Sequence, residues 1–253
     1  FTLYVLAGKL GLSFAYFNDS ASPVWPPTVI ALVVLVLAGY KFWPAIFAGA
    51  FIVNITTTPS IPVSLGIALG NTIEALTAAY LINYCANGRF TFEKTKSTFN
   101  FFLIITLATS ISALIGTISL TVGGFAQSND ALIIAFTWWI GDILGAFLLY
   151  PLITVFYNKP TIKIKREHYL DIAFAFLLLL VISSIIFLGW PFQISETTNL
   201  KFLVFPPLLW IAFRSCIRVS TLGVFLVSIF TIIGAISKAT LFNTQSINSS
   251  ILY

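Results

Sequence analysis

The chain has 253 residues, of which 58% are hydrophobic and only 8% charged, with a formal net charge of +5. Ordinary globular chains carry roughly 25% charged residues, so this composition excludes a soluble domain and specifies an integral membrane protein. The positive charge sits in short loops between apolar segments, which excludes nucleic acid as a partner, and strand-like alternation is nowhere sustained over the roughly ten residues of a barrel strand.

Apolar runs between charge and turn signals give nine candidate spans, at about 1–17, 25–39, 42–57, 62–85, 99–122, 131–157, 169–190, 201–217 and 219–237. A helix needs about 20 residues to cross the hydrocarbon core. The expected fold class is therefore all-α, a polytopic transmembrane helical bundle of about 8 to 10 spans. The second and third spans are short, as are the last two, and each pair is also readable as a tilted or re-entrant hairpin.

In chain order, the first span carries Lys9 in its middle. The second opens on Trp25, Pro26 and Pro27, and the third on Trp43 and Pro44 behind Lys41, with Asn54 near its far end as a capping residue. The fourth contains "LGIALGNTIEAL", in which Gly66, Gly70 and Glu74 fall at i, i+4, i+8 and Asn71 lies on the same side. The sixth contains "FTWWIGDILGAFLLYPL", where Trp138, Asp142 and Gly145 share a face and Gly141 and Gly145 form a Gly-xxx-Gly pair. Small residues let helix backbones approach closely in lipid, so the fourth and sixth spans are expected to pack near each other and near Lys9. The eighth span, "LVFPPLLWIAF", echoes "PVWPPTVIAL" of the second. Proline fits the first turn of a helix, where its missing donor costs nothing, and this is the plain account of the echo. A parallel internal repeat of the transporter kind is the alternative.

Orientation follows from the loops, because cytoplasmic loops are enriched in Lys and Arg. One alternate set of connections holds Lys41, Arg89, Lys94, Lys96, Lys159, Lys163, Lys165, Arg166, Arg214 and Arg218, ten of the 13 basic residues. The opposite set holds Lys201 and Lys238 with Asp19, Asp130 and Glu196. The N-terminus is accordingly expected in the cytoplasm. The absence of methionine, the apolar start and the apolar rise at "SINSSILY" read as a piece of a longer protein, with one further helix beginning at the end.

Lys9, Glu74 and Asp142 fall near mid-bilayer. An ionisable residue there costs roughly 2.5 to 3.5 kcal/mol on insertion scales and usually faces a partner in the bundle interior. With Asn71 and Trp138 beside them, the three form a candidate intramembrane charge cluster in which Lys9 is the expected counter-ion. Two readings have equal standing: a fixed salt-bridged clasp, or a site for a ligand, ion or proton. Trp25, Trp43 and Trp190 match the interfacial belt, whereas Trp138 and Trp139 lie deeper, where one could donate its N–H to Asp142. The single histidine, His168, lies in a basic loop that reads as a topology determinant touching anionic headgroups, and Cys85 and Cys216 are expected to stay reduced. Neither pattern suggests a metal site, no catalytic motif is present, and no cofactor is identifiable.

"SPVWPPTVIAL" (22–32), "KFWPAIFAGAFIVN" (41–54), "GIALGNTIEAL" (66–76) and "WWIGDILGAFLLYPL" (138–152), in that order, resemble the MASE1 domain, an integral membrane sensory domain of bacterial signalling proteins. The likeness is dense over 1–157 and looser beyond, where "LVFPPLLWIAFRSCIRVS" is similar to the family's later Pro-rich helix and basic turn. The matching positions are Trp25, Pro26, Pro27, Trp43, Pro44, Asn71, Glu74, Trp138, Trp139, Gly141 and Asp142. The resemblance implies a non-enzymatic input module, residues 1–253 as one sensory domain, in a bacterial inner (plasma) membrane. It also implies a fused cytoplasmic output domain: a diguanylate cyclase, a phosphodiesterase or a histidine kinase. A small ligand, a membrane protein partner and a homodimer stay open beside the bilayer itself. The rival from another class is a small-solute membrane transporter.

Overall fold

The computed structural model describes residues 1–15, 20–22, 24–158, 166–189 and 198–242. Among them are nine α-helices and no β-sheet: α1 (Thr2–Leu12), α2 (Pro26–Leu37), α3 (Trp43–Ile55), α4 (Ile61–Cys85), α5 (Thr95–Val122), α6 (Ala131–Tyr157), α7 (Tyr169–Ser183), α8 (Phe205–Arg214) and α9 (Ile217–Phe242). Each falls within or close to one apolar segment of the sequence. Asp19, Lys159, Lys163, Lys165, Trp190, Glu196 and the final stretch 243–253 lie outside the described residues, as do the side chains of Arg166 and Lys238.

Length separates these helices into two kinds. Five helical segments are long and apolar enough to cross a membrane: Ile61–Cys85, Thr95–Val122, Ser128–Tyr157, Tyr169–Leu188 and Ile217–Gly234. They make this a multi-pass membrane protein. The short apolar helices do not reach that length: α1 has 11 residues, α2 has 12 and α8 has 10. At about 1.5 Å per residue, α2 extends roughly 18 Å against a hydrocarbon core of about 30 Å.

Proline starts several of them. Pro26 and Pro27 open α2, Pro44 opens α3, Pro62 opens α4, and Pro206 and Pro207 open α8, all in the first turn, where a helix has no acceptor for an N–H. The Pro-Pro echo has its local explanation there. Gly39, at φ 103, turns the chain between α2 and α3 in a conformation that a side chain would oppose.

By contacts the chain forms two compact units, Phe1–Asn158 and Lys159–Tyr253. In the first, α4 packs on α2, α3 and α5, α6 packs on α2 and α5, and α1 packs on α2 and α3. The apolar core at one end gathers Leu32, Leu35, Ile82, Phe101, Ile105 and Tyr150, with the Phe101 and Tyr150 rings stacked 4.9 Å apart. The glycines of α4 meet α5: a Cβ on Gly70 would lie 3.0 Å from Ile115 Cβ, and one on Gly66 would strike Ser119. This corrects the expectation that the small-residue face of the fourth span serves contact with the sixth. α4 and α6 are not a paired couple of helices, and α2 and α5 each pack against both.

In the second unit, Ala175, Leu179, Ile186, Val204 and Ile211 form the core among α7, α8 and α9. α7 ends in a wider π turn at Ser184–Leu188. Asp171 at the start of α7 pairs with Arg214 at the end of α8 at 3.8 Å, and His168 Nδ1 lies 3.8 Å from the same carboxylate.

Candidate functional site

Glu74 of α4 and Asp142 of α6 are the two buried carboxyl groups among the described residues, at 1% and 0% exposure. Their side chains are within hydrogen-bonding reach of each other. What joins them comes from the helices between. Thr28 Oγ1 of α2 donates to Asp142 Oδ1 at 2.7 Å, and Ser112 Oγ of α5 donates to Asp142 Oδ2 at 2.7 Å. The same two hydroxyls also neighbour Glu74.

Local sequence explains these placements. Thr28 is the third residue of α2, directly after Pro26 and Pro27, so it sits in a first turn whose first two residues carry no N–H. Asp142 meets that turn at the positive end of the helix dipole, where an anion is favoured. Ser112 lies on a stripe of α5 with Thr109 and Gly116, at i−3 and i+4, all buried. That stripe admits Trp138, one turn before Asp142: a Cβ on Gly116 would lie 2.6 Å from the Trp138 ring. The Trp138 indole is in turn within reach of Asp142.

The other sequence candidates divide. Asn71 is buried one turn before Glu74; its Nδ2 donates to Ile67 O at 2.9 Å, while its Oδ1 has no partner. Glu74 Oε2 is likewise buried without a partner. Tyr4 of α1, 2% exposed and not foreseen, is a further buried polar group near the two carboxyls.

Lys9 is the principal correction. Its Nζ donates to Thr57 Oγ1 at 2.9 Å and to Val53 O at 3.3 Å, and it forms no ion pair with Glu74 or Asp142. A flexible ammonium takes the acceptors nearest to the end of its own helix: the Val53 carbonyl in the last turn of α3 and the Thr57 hydroxyl just beyond it. Lys9→Met should therefore leave the carboxyl pair undisturbed, and thermal unfolding should show a smaller loss for it than for Asp142→Asn.

Trp25 is not an exposed belt residue. It is 5% exposed, its N–H donates to Gly141 O at 3.1 Å, and its carbonyl oxygen would lie 2.5 Å from a Cβ on Gly145. The Gly141 and Gly145 pair of α6 thus receives the backbone that leads into α2, not another membrane helix. Trp43, at 46% exposed, keeps a surface position beside Pro44. Trp139 donates its Nε1–H to Thr106 O at 2.9 Å, tying α6 to α5. Asn54, expected to cap α3, instead turns its Nδ2 back to Ala50 O at 2.8 Å.

Sequence reasoning missed Thr28, Ser112 and Tyr4. A signal for the first two was available: a hydroxyl directly after the proline pair, and a small polar stripe on an otherwise apolar fifth span. Among the described residues no group of three His, Cys, Asp or Glu side chains is placed to hold a metal ion, and the two cysteines are free.

The arrangement can hold a charge or a small polar species at a point where four helices converge. The family model that matches this chain is MASE1, over residues 1–253. No curated protein and no solved structure matches it.

Proposed function

The chain belongs to the MASE1 family of membrane sensory domains, and from that premise we propose that the Glu74 and Asp142 pair is the input region of a signalling protein. One observation carries this reading: two buried carboxyls, with no Lys or Arg of the described residues ion-paired to either, sit where α2, α4, α5 and α6 meet. Such a junction is costly unless something compensates it, and any change in its charge or occupancy alters contacts of four helices at once. A ligand, an ion or a membrane partner that favours one packing over the other would shift the population of the bundle, and only such differential affinity can do so.

In this reading residues 1–253 act as one sensory domain in a bacterial inner membrane, with the N-terminus in the cytoplasm and the basic loops on the same side. The signal passes to a fused cytoplasmic output domain, a diguanylate cyclase, a phosphodiesterase or a histidine kinase. The double-proline echo, which suggested an internally repeated carrier, is accounted for by first-turn proline in α2 and α8. The carrier reading then rests on the buried charges alone, as a coupling site.

The test is output activity in the protein joined to its output domain, compared at matched membrane level for wild type, Glu74→Gln and Asp142→Asn. The expected result is a shifted basal output in both variants. Unchanged output in a folded Glu74→Gln protein would discard the pair as the input region.

A further inference from the structure

We infer that Glu74 and Asp142 together hold one exchangeable monovalent cation, a proton or a sodium ion, in the junction of α2, α4, α5 and α6. The inference rests on the same pair as the sensor reading and names the chemistry of its ligand.

Donor counting leads to it. An ionised carboxylate only accepts hydrogen bonds, and a hydroxyl has one proton to give. The protons of Thr28 and Ser112 are given to Asp142, one to each oxygen. A hydroxyl whose proton is given to Asp142 has only lone pairs left to turn toward Glu74. Glu74 Oε2 is left without a partner at 1% exposure, and Asn71 Oδ1, one turn away on the same helix, is a second buried acceptor with none. Glu74 Oε2 and Asn71 Oδ1 are thus buried acceptors short of donors, in a site with no positive charge paired to it among the described residues.

Among the described residues no protein cation relieves it. Lys9 is engaged at the end of α3. Among the described residues, the titratable groups that reach the pair are the two carboxyls themselves and the Tyr4 phenol from α1. α2 and α5 contribute the hydroxyls of Thr28 and Ser112, and no charged side chain of α3 faces the pair. Two like charges a few ångströms apart in a low-dielectric interior repel strongly. One added cation removes the repulsion and supplies what the acceptors lack: a proton gives Glu74 a donor, and a sodium ion takes carboxylate, amide and hydroxyl oxygens directly.

The experiment uses the full chain in liposomes or detergent. Infrared difference spectra are recorded as pH is varied, and thermal unfolding is measured in sodium chloride against choline chloride at equal ionic strength and fixed pH. If the cation is a proton, wild type shows one carboxylic C=O band that disappears on alkalinisation and is indifferent to sodium. If it is sodium, unfolding temperature rises saturably with sodium alone and protons are released as it binds. In either case Glu74→Gln, whose amide supplies donors at the same place without charge, loses the dependence. A wild-type protein with neither a protonated carboxyl nor a sodium response overturns the inference, as does a Glu74→Gln protein that keeps the full wild-type dependence. The wild-type measurements need no variant to fold. Cation binding with no effect on output would sink the sensor reading and keep the site; altered output without cation binding would do the reverse.

Discussion

Glu74→Gln and Asp142→Asn, although chemically alike, are expected to have opposite effects on stability. Asp142 already receives the Thr28 and Ser112 protons at 2.7 Å each. An amide nitrogen in place of one oxygen cannot accept, so at least one hydroxyl must turn to accept from it and loses the acceptor for its own proton. Interhelical hydrogen bonds in membrane proteins contribute about 0.6 kcal/mol on average and up to about 1.7 kcal/mol. Leaving a buried group unsatisfied costs about 1 to 3 kcal/mol, so Asp142→Asn should lose roughly that amount. At Glu74 the amide adds donors beside a buried oxygen that has no partner and removes a like charge. Glu74→Gln should be neutral or stabilising. Reversible unfolding in mixed micelles measures both, and a loss at Glu74 equal to that at Asp142 would show that the hydroxyl protons are not committed as described.

Gly145→Ala is expected to be among the most damaging single-methyl additions in the first unit. The new Cβ would stand 2.5 Å from the Trp25 carbonyl oxygen and 3.1 Å from its carbonyl carbon. Backbone cannot yield as a side-chain end can, and the Trp25 N–H bond to Gly141 O at 3.1 Å is held by the same approach. Overpacking of this kind typically costs about 1 to 3 kcal/mol, and here the displaced segment leads directly to Thr28. The variant should therefore lose stability and also disturb the carboxyl pair. Gly223→Ala is the control, because its Cβ would meet only side-chain ends, Leu208 Cδ2 at 3.3 Å and Ile211 Cδ1 at 3.5 Å. Equal unfolding temperatures for the two variants would mean that the Trp25 segment is not wedged on α6.

These expectations locate the family motif in physical terms. Trp25, Pro26 and Pro27 deliver Thr28 to Asp142; Gly141 and Gly145 accept the incoming backbone; Trp138, seated over Gly116, borders the same carboxyl. Asn71 and Glu74 supply the acceptors left over. Residues scattered over four sequence motifs thus share one junction.

Composition and apolar segment length by themselves determined the membrane class, the all-α fold and the approximate limits of the nine α-helices among the described residues. Those properties are local: each segment is apolar enough to leave water and must satisfy its backbone within itself. Glu74 and Asp142 were legible for the same reason, as charges inside apolar runs. The partner of each charge was not legible. Thr28 and Asp142 are 114 residues apart, and Ser112 and Asp142 are 30 apart, so no periodicity records their meeting. Charge alone pointed to Lys9, yet an ammonium on a flexible stem takes the acceptors within its reach, and Thr57 and Val53 are those. The glycines told that close approach would occur without telling by what, since a missing side chain does not specify its neighbour: Gly70 met α5 and Gly145 met the Trp25 backbone. Which helices converge, and hence which hydroxyls stand between the two carboxyls, was decided only by tertiary packing, because it depends on the mutual fit of surfaces that the chain brings together from distant positions.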